Sequence, residues 1–254
     1  MEPETSAEDD ISGDNPATLL AHDFAAAARS IFAAGGLQDT LATLATLAVS
    51  SVEACDFAGV FLRRGQAVAL SAQTDAVVAA IAALQERTGE GPCLDAITDG
   101  TSFYASDLGQ DARWPSFGPA ADAEGVRSLL ALPLSLGVGG DVGALALYAA
   151  LPAAFGVIDR ARGLVLSSIG GLAYSAARLH DDEERRSHNL QLALATRELI
   201  GQAQGILIER ERITGEQAFE ILRRASQHLN VKLREVAQEL VDTGERPDTG
   251  QGPL

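Results

Sequence analysis

Two cysteines, one methionine, one tryptophan and a single lysine, Lys232, are spread over 254 residues. Cys55 and Cys93 are too few for a disulfide framework or a four-cysteine zinc site. Basic charge is scarce: 19 Lys and Arg against 35 Asp and Glu leave a formal net charge of −16. That excludes a protein coated in cations for general nucleic-acid binding. No run of about 18 apolar residues is free of charge, and the start is acidic where a secretory signal would be basic. These absences predict a cytoplasmic protein without a membrane partner. What is present is apolar. Hydrophobic residues make up 46%, enough for a buried core, and the length fits one large domain or two modest ones.

The charge is uneven. Residues 1–15 carry six acids and no base, which predicts a disordered acidic tail. Residues 185–247 carry ten bases against nine acids, so more than half of the basic charge sits in the last quarter. Interleaved Glu and Arg is also ordinary on a solvated helical surface.

Between these ends the pattern alternates. Leu19, Leu20, Phe24, Ile31 and Phe32 predict a helix stopped by Gly35-Gly36, and Leu37, Leu41, Leu44 and Leu47 predict a second. Phe57 to Leu62 and Ala67 to Leu70 read as a hairpin. Val77, Val78, Ile81 and Leu84 make a short helix, and Thr88 to Leu94 is a loop leading into a helical turn. Ser102 to Tyr104, Ser128 to Leu136 and Gly143 to Tyr148 are strands, the last two joined through Gly137, Gly139 and Gly140. Strands joined by short turns, with helices on the faces, predict an α+β domain built on an antiparallel sheet. The histidines are His22, His180, His188 and His228. None falls in the predicted sheet or its loops, so a Ser-His-Asp or Cys-His device lacks its base there. No cluster has metal-ligand spacing, and Gly137 to Gly143 lies between strands rather than before a helix. The residues therefore predict a chain that is not an enzyme and holds no metal.

The order of these elements, with Gly89-Glu-Gly-Pro-Cys-Leu-Asp95, Asp111-Ala-Arg-Trp-Pro115, Ser128-Leu-Leu-Ala-Leu-Pro-Leu134 and Gly143-Ala-Leu-Ala-Leu-Tyr148, resembles a GAF domain over roughly 37–180. The resemblance implies a sensor over 16–180, including the N-terminal helix, for a small molecule or a partner's state. It does not name the ligand or cofactor, which stays unknown. The ligand-pocket candidates are Cys93, Trp114 and Arg127. Pro92 places Cys93 near a helix N-terminus, where the dipole lowers a thiol pKa, unless Cys93 is a buried hydrophobe packed beneath the loop. Trp114 is either a pocket lid or a loop anchor. Arg127 faces either an anionic ligand or a surface carboxylate.

From Asp159 there is no proline until Pro247, and Leu164, Leu172, Leu179, Leu190 and Leu194 recur at near-heptad spacing. Asp181-Asp-Glu-Glu-Arg-Arg186 interrupts the seam. This predicts a long connecting helix, centred on 176–192, with an interrupted coiled-coil seam. Three apolar faces follow: Leu192, Leu199, Ala203 and Leu207; Ala218, Ile221, Leu222, Ala225 and Leu229; Leu233, Val236, Ala237, Leu240 and Val241. They predict three short helices in a bundle over 190–247, with 248–254 as a disordered tail. Thr214 and Gln217 form a capping box, Asn230 is expected to cap the third helix, and Gly244 and Pro247 end it. Gly201 and Gly205 lie four apart in the first helix, where each costs about 1 kcal/mol relative to Ala. They share a face with Arg197 and Gln204, a smooth strip beside polar donors that lets another backbone come close.

Arg197-Glu-Leu-Ile-Gly-Gln-Ala-Gln-Gly-Ile-Leu-Ile208, Ala218-Phe-Glu-Ile-Leu-Arg-Arg-Ala-Ser226 and Lys232-Leu-Arg-Glu-Val-Ala237 are similar to the ANTAR domain, the RNA-binding antitermination module of bacterial regulators. The family's Ala-Lys-Gly reads Ala203-Gln204-Gly205 here, one cation fewer. The resemblance implies binding of paired stem-loops in a leader RNA, a homodimer, an upstream signalling protein, and RNA contacts from Arg197, Gln204, Gly205, Arg223, Arg224, Lys232 and Arg234. Two other readings stay open at this point. In one the tail is a helix-turn-helix on duplex DNA. In the other the bundle is a dimerisation or docking surface that binds no nucleic acid.

Overall fold

Along the strands, alternate side chains divide between two apolar faces. Ala58, Val60, Leu62, Leu130, Leu132, Leu134, Leu145 and Leu147 belong to one buried cluster, and Phe61, Leu129, Ala131, Ala144, Ala146 and Tyr148 to another. A sheet buried on both sides needs helices on both sides. In this computed structural model, residues 16–135 and 142–248 are described, with side chains from Phe24 on. The acidic stretch 1–15, the turn through Gly137, Gly139 and Gly140, and residues 249–254 lie outside the described residues.

The elements run α1 (Pro16–Phe32), α2 (Leu37–Ser51), β1 (Phe57–Arg64), β2 (Ala67–Gln73), α3 (Ala76–Thr88), α4 (Pro92–Asp99), β3 (Phe103–Ala105), α5 (Phe117–Ala123), β4 (Ser128–Ser135), β5 (Val142–Ala149), α6 (Val157–Glu211), α7 (Gly215–Leu229) and α8 (Leu233–Thr243). The sheet order is β2-β1-β5-β4-β3, and every described pairing is antiparallel. Val60 faces Leu145, and Leu130 faces Leu147. Ile31 of α1, Leu41 and Leu44 of α2, and Leu166 and Ala173 of α6 cover the first face. α3, α4 and α5 cover the second with Ile81, Ile97 and Phe117. Asp75 caps α3 by accepting the Val77 amide at 2.9 Å, and Gly89 ends it at φ 67°.

Close approach of α6 depends on missing side chains. A Cβ at Gly170 would collide with Leu44, and one at Gly171 would stand 2.5 Å from the Ser135 carbonyl oxygen. Because Ser135 would have to move its backbone, Gly171→Ala should cost a net ~1–2 kcal/mol despite alanine's better helix propensity. The expected fall in Tm is about 2–8 °C in a thermal melt.

The chain divides between Asp181 and Asp182 into two compact units. α6 contributes to both, and it corrects the expectation of three short C-terminal helices. The first of them is the end of a 55-residue helix that runs through Asp181–Arg186 without interruption. Acids followed by arginines three and four residues on favour the helix there, and no proline breaks it. In the second unit Ala203 and Leu207 of α6 pack with Ala218, Leu222 and Ala225 of α7 and Val236, Ala237 and Leu240 of α8. The Thr214 capping box forms: the Gln217 amide donates to Thr214 Oγ1 at 3.3 Å, and the Thr214 amide to Gln217 Oε1 at 2.9 Å. Asn230 does not cap α8. It ends α7 in the left-handed region at φ 54°, which asparagine tolerates, and Lys232 begins α8 with its amide 3.4 Å from Glu235 Oε2. Gly244 ends α8 at φ 70°, its carbonyl accepting from the Arg210 guanidinium.

Candidate nucleic-acid interface

Helical spacing puts Arg197, Gly201 and Gly205 one turn apart on α6, with Gln204 beside them. Both glycines are exposed, and a Cβ on either meets nothing within 4 Å. This differs from Gly170 and Gly171, whose lack of a side chain serves packing. The strip at Gly201 and Gly205 serves no contact within the described structure.

One flank of the strip is a groove of about 500 Å³ between α6 and α7, lined by Leu192, Thr196, Arg197, Ile200, Gln204 and Phe219 among others. Gln204 Nε2 donates to the Gly215 carbonyl at 2.9 Å, tying α6 to the first turn of α7. Among the described residues no bond engages its second N–H or its carbonyl oxygen. Arg234 lies elsewhere, in a second groove of about 470 Å³ between α6 and α8, with Glu198, Gln202, Glu235 and Gln238. Arg223 Nη2 and Nε hold Glu220 at 2.7 Å and 2.9 Å, and Arg224 Nε stands 4.0 Å from the same carboxylate. The Arg223 hydrogen bond holds the Glu220 carboxyl below its ordinary range, and Glu220 in turn raises Arg223. Lys232 and Arg234 are exposed. The structure therefore brings Arg197 and Gln204 together. It sets Arg223 and Arg224 on α7 with a carboxylate between them, and it places Arg234 across α6. Phe219, 38% exposed and one turn before Arg223, is a member of this surface that the sequence reading passed over. The available signal was a phenylalanine at the rim of the Ala218–Leu222–Ala225 face.

In the first unit the three pocket candidates are engaged with the protein itself. Cys93 is fully buried, its amide donates to Gln85 Oε1 at 3.0 Å, and its Sγ lies 3.8 Å from Tyr148 Oη. It does occupy the first turn of α4. Burial pushes the thiol up to about 11, so of the two alternatives the buried hydrophobe describes it and the thiol activated by the helix end does not. Trp114 is buried, donates from Nε1 to Asp95 Oδ2 at 2.7 Å, and carries the Arg113 guanidinium 4.3 Å over its ring. Arg127 meets Asp107 at 2.6 Å and Asp122 at 3.3 Å. Gln85, 2% exposed, has no partner for Nε2 among the described residues. No group of three His, Cys, Asp or Glu side chains among the described residues is placed to hold a metal, and none of the described helices is long and apolar enough to cross a membrane.

Glu90 latches the loop that carries Trp114. Its carboxylate accepts the Ser116 amide at 2.8 Å and the Phe117 amide at 3.1 Å, which lowers its pKa, the Ser116 bond first. A carboxyl depressed in the folded state stabilises above its unfolded pKa of about 4.3 and loses that contribution as pH falls through the folded value. Glu90→Gln should therefore lower stability at pH 8, where the ionised carboxylate contributes, and converge on the wild type in acid, so that the acid limb of its stability-against-pH curve is flatter below about pH 4–5.

The family model of the GAF domain matches residues 35–174, and that of the ANTAR domain matches 188–241. Among solved structures, the chain is similar to free methionine-R-sulfoxide reductase from Neisseria meningitidis in complex with its substrate (TM-score 0.50, 17% identity, covering 66% of this chain and 96% of that one). It is also similar to the GAF domain of a phosphoenolpyruvate-protein phosphotransferase from Coxiella burnetii (TM-score 0.51, 15% identity, 66% and 99%). Identities this low establish the fold alone. No curated protein matches the chain. The fold of the first unit and the match over more than half of the sequence define a GAF protein. The chain belongs to the GAF family and carries an ANTAR domain behind it, a regulatory architecture of signal transduction whose ANTAR module is RNA-binding and acts in antitermination.

Proposed function

We propose that this chain is a signal-responsive antiterminator that binds stem-loops in a leader RNA and prevents termination. In this reading a sensor over 16–180 takes a small molecule or the state of an upstream signalling protein. α6 carries the response to a bundle over 190–247, and the working form is a cytoplasmic homodimer. Coupling requires that the signal bind two states of the protein with different affinity. The observation that carries the RNA assignment is the open strip at Gly201 and Gly205. It lies beside Arg197 and Gln204, within the stretch that matches the ANTAR domain. Helix-interior glycines that relieve no internal contact are explained by a guest that must come close. Gly205, Arg223, Arg224 and Lys232 belong to the proposed RNA surface, and Arg234, in the separate groove between α6 and α8, would have to meet the RNA from the other side of α6.

The reading is tested by titrating the full chain with an RNA carrying two hexanucleotide-loop hairpins and, at the same salt, with duplex DNA of equal length. Tighter binding to the RNA is expected. The salt dependence should be shallow, because few cations are available to displace counterions. Preference for the duplex would overturn the proposal.

A further inference from the structure

We infer that Phe219 is a stacking platform for an unpaired base of the RNA, and that the groove it shares with Arg197 and Gln204 is where that base is received. The inference rests on the RNA-binding reading above and adds to it a residue and a kind of contact.

The inner face of α7 is complete without this ring. Ala218, Leu222 and Ala225 are fully buried, and Ile221 packs beside them. Phe219 sits at the rim of that face and keeps over a third of its surface exposed. Exposed surface on a large aromatic forfeits the gain its burial would bring. The groove before it has about 500 Å³, within the range of sites that hold small ligands. Its wall is apolar through Ile200 and Leu192, and its polar groups are the Arg197 guanidinium, the Gln204 amide and the Thr196 hydroxyl. An aromatic face, a guanidinium and an amide with one free N–H and its carbonyl make a combination suited to an unstacked nucleobase. The base lies on the ring, its edge meets the amide, and its phosphate meets the cation. An apolar peptide side chain would use the ring and leave the amide and guanidinium without partners. The chemistry therefore favours a base. Arg223, one turn along α7 from Phe219, adds a second cation on the same side of that helix.

The test uses the full chain and the two-hairpin RNA, with 2-aminopurine placed in turn at each loop position. Phe219→Leu keeps an apolar residue of similar reach at the rim, and Phe219→Trp enlarges the stacking face. The wild type and Phe219→Trp are expected to quench one loop position strongly on binding. Phe219→Leu should lose that quenching and bind about 5- to 100-fold more weakly. An abasic nucleotide at the quenched position should weaken the wild type by a similar factor and leave Phe219→Leu unchanged, since both remove one contact. If Phe219→Leu binds the RNA as the wild type does, or if the two losses simply add, stacking on Phe219 is refuted while RNA binding stands. If the wild type does not bind the hairpins at all, the RNA reading falls and takes this inference with it. Thermal melts and sedimentation complete the set. A Phe219→Leu variant that loses RNA only because its oligomeric state has changed would show that the ring serves a protein contact, and would also refute the inference.

Discussion

Gly205→Leu, alone or with Gly201→Leu, should make the protein more stable and unable to bind its RNA. The two effects have opposite signs, so neither can be mistaken for the other. On the folding side, glycine in an exposed helix interior costs about 1 kcal/mol relative to alanine, and leucine is nearly as good a helix former as alanine. The added side chain meets nothing within 4 Å at its Cβ. A gain of up to ~1 kcal/mol for each substitution is therefore expected, read as a higher denaturation midpoint. On the binding side, an isobutyl group on the strip holds a guest backbone away from Gln204 and Arg197. Direct hydrogen bonds and phosphate contacts fail once donor and acceptor separate beyond about 3.5 Å. Loss of two or three charge-assisted contacts at ~1.5–3 kcal/mol each corresponds to a fall in affinity of at least about 100-fold. Anisotropy titration with the hairpin RNA measures this directly. Unchanged affinity alongside the higher midpoint would mean that the strip faces no nucleic acid.

Trp114→Ala is expected to produce the largest loss of stability in the first unit. The ring is 2% exposed, lies 6.2 Å edge-on from Phe103, and carries Arg113 over its face. Truncation leaves a cavity where an indole stood, a change that costs about 3–5 kcal/mol in buried sites. It also leaves Asp95 Oδ2 without the 2.7 Å bond it now accepts. Circular dichroism during urea unfolding should show a midpoint lowered by more than 1 M, given slopes of about 1–3 kcal/mol/M for small proteins. Trp114→Phe retains most of the apolar volume and should recover most of the loss. If Trp114→Ala unfolds like the wild type, the ring's burial contributes little and the loop is held by the Glu90 bonds to Ser116 and Phe117 instead.

Much of the architecture was legible because it is written in local patterns. Ser128–Leu134 and Gly143–Tyr148 divide between two apolar faces, and the structure pairs them as β4 and β5. Thr214 and Gln217 needed only their spacing to show where α7 starts. The misreadings have physical causes of their own. Lys232 displaced Asn230 as the start of α8 because Asn230 adopts a left-handed backbone, a choice a sequence pattern does not record. The long helix through Asp181–Arg186 was legible, since those charges break an apolar seam without breaking a helix, but its run on into the first helix of the bundle was not, because a change of apolar face near Leu192 reads as a new element. Cys93 stayed open between a thiol at a helix end and a buried hydrophobe because the helix end is visible in sequence and the burial that raises the thiol is not. Arg127 finds Asp107 twenty residues away, and Phe219 meets α6 only once the bundle forms. Distant pairings of this kind are where sequence reasoning ended. They matter most at the pocket candidates and the interface, where function depends on side chains meeting across elements.

Because the chain has only one indole, its emission reports from a single address. That address is the hydrogen bond to Asp95, beneath the Arg113 guanidinium and on the apolar side of the sheet closed by α3, α4 and α5. A metabolite that displaced Asp95, or pried the loop from Glu90, would change the colour or brightness of that emission in unlabelled protein. Candidate effectors can thus be screened optically, without dyes, tags or any knowledge of the transcript.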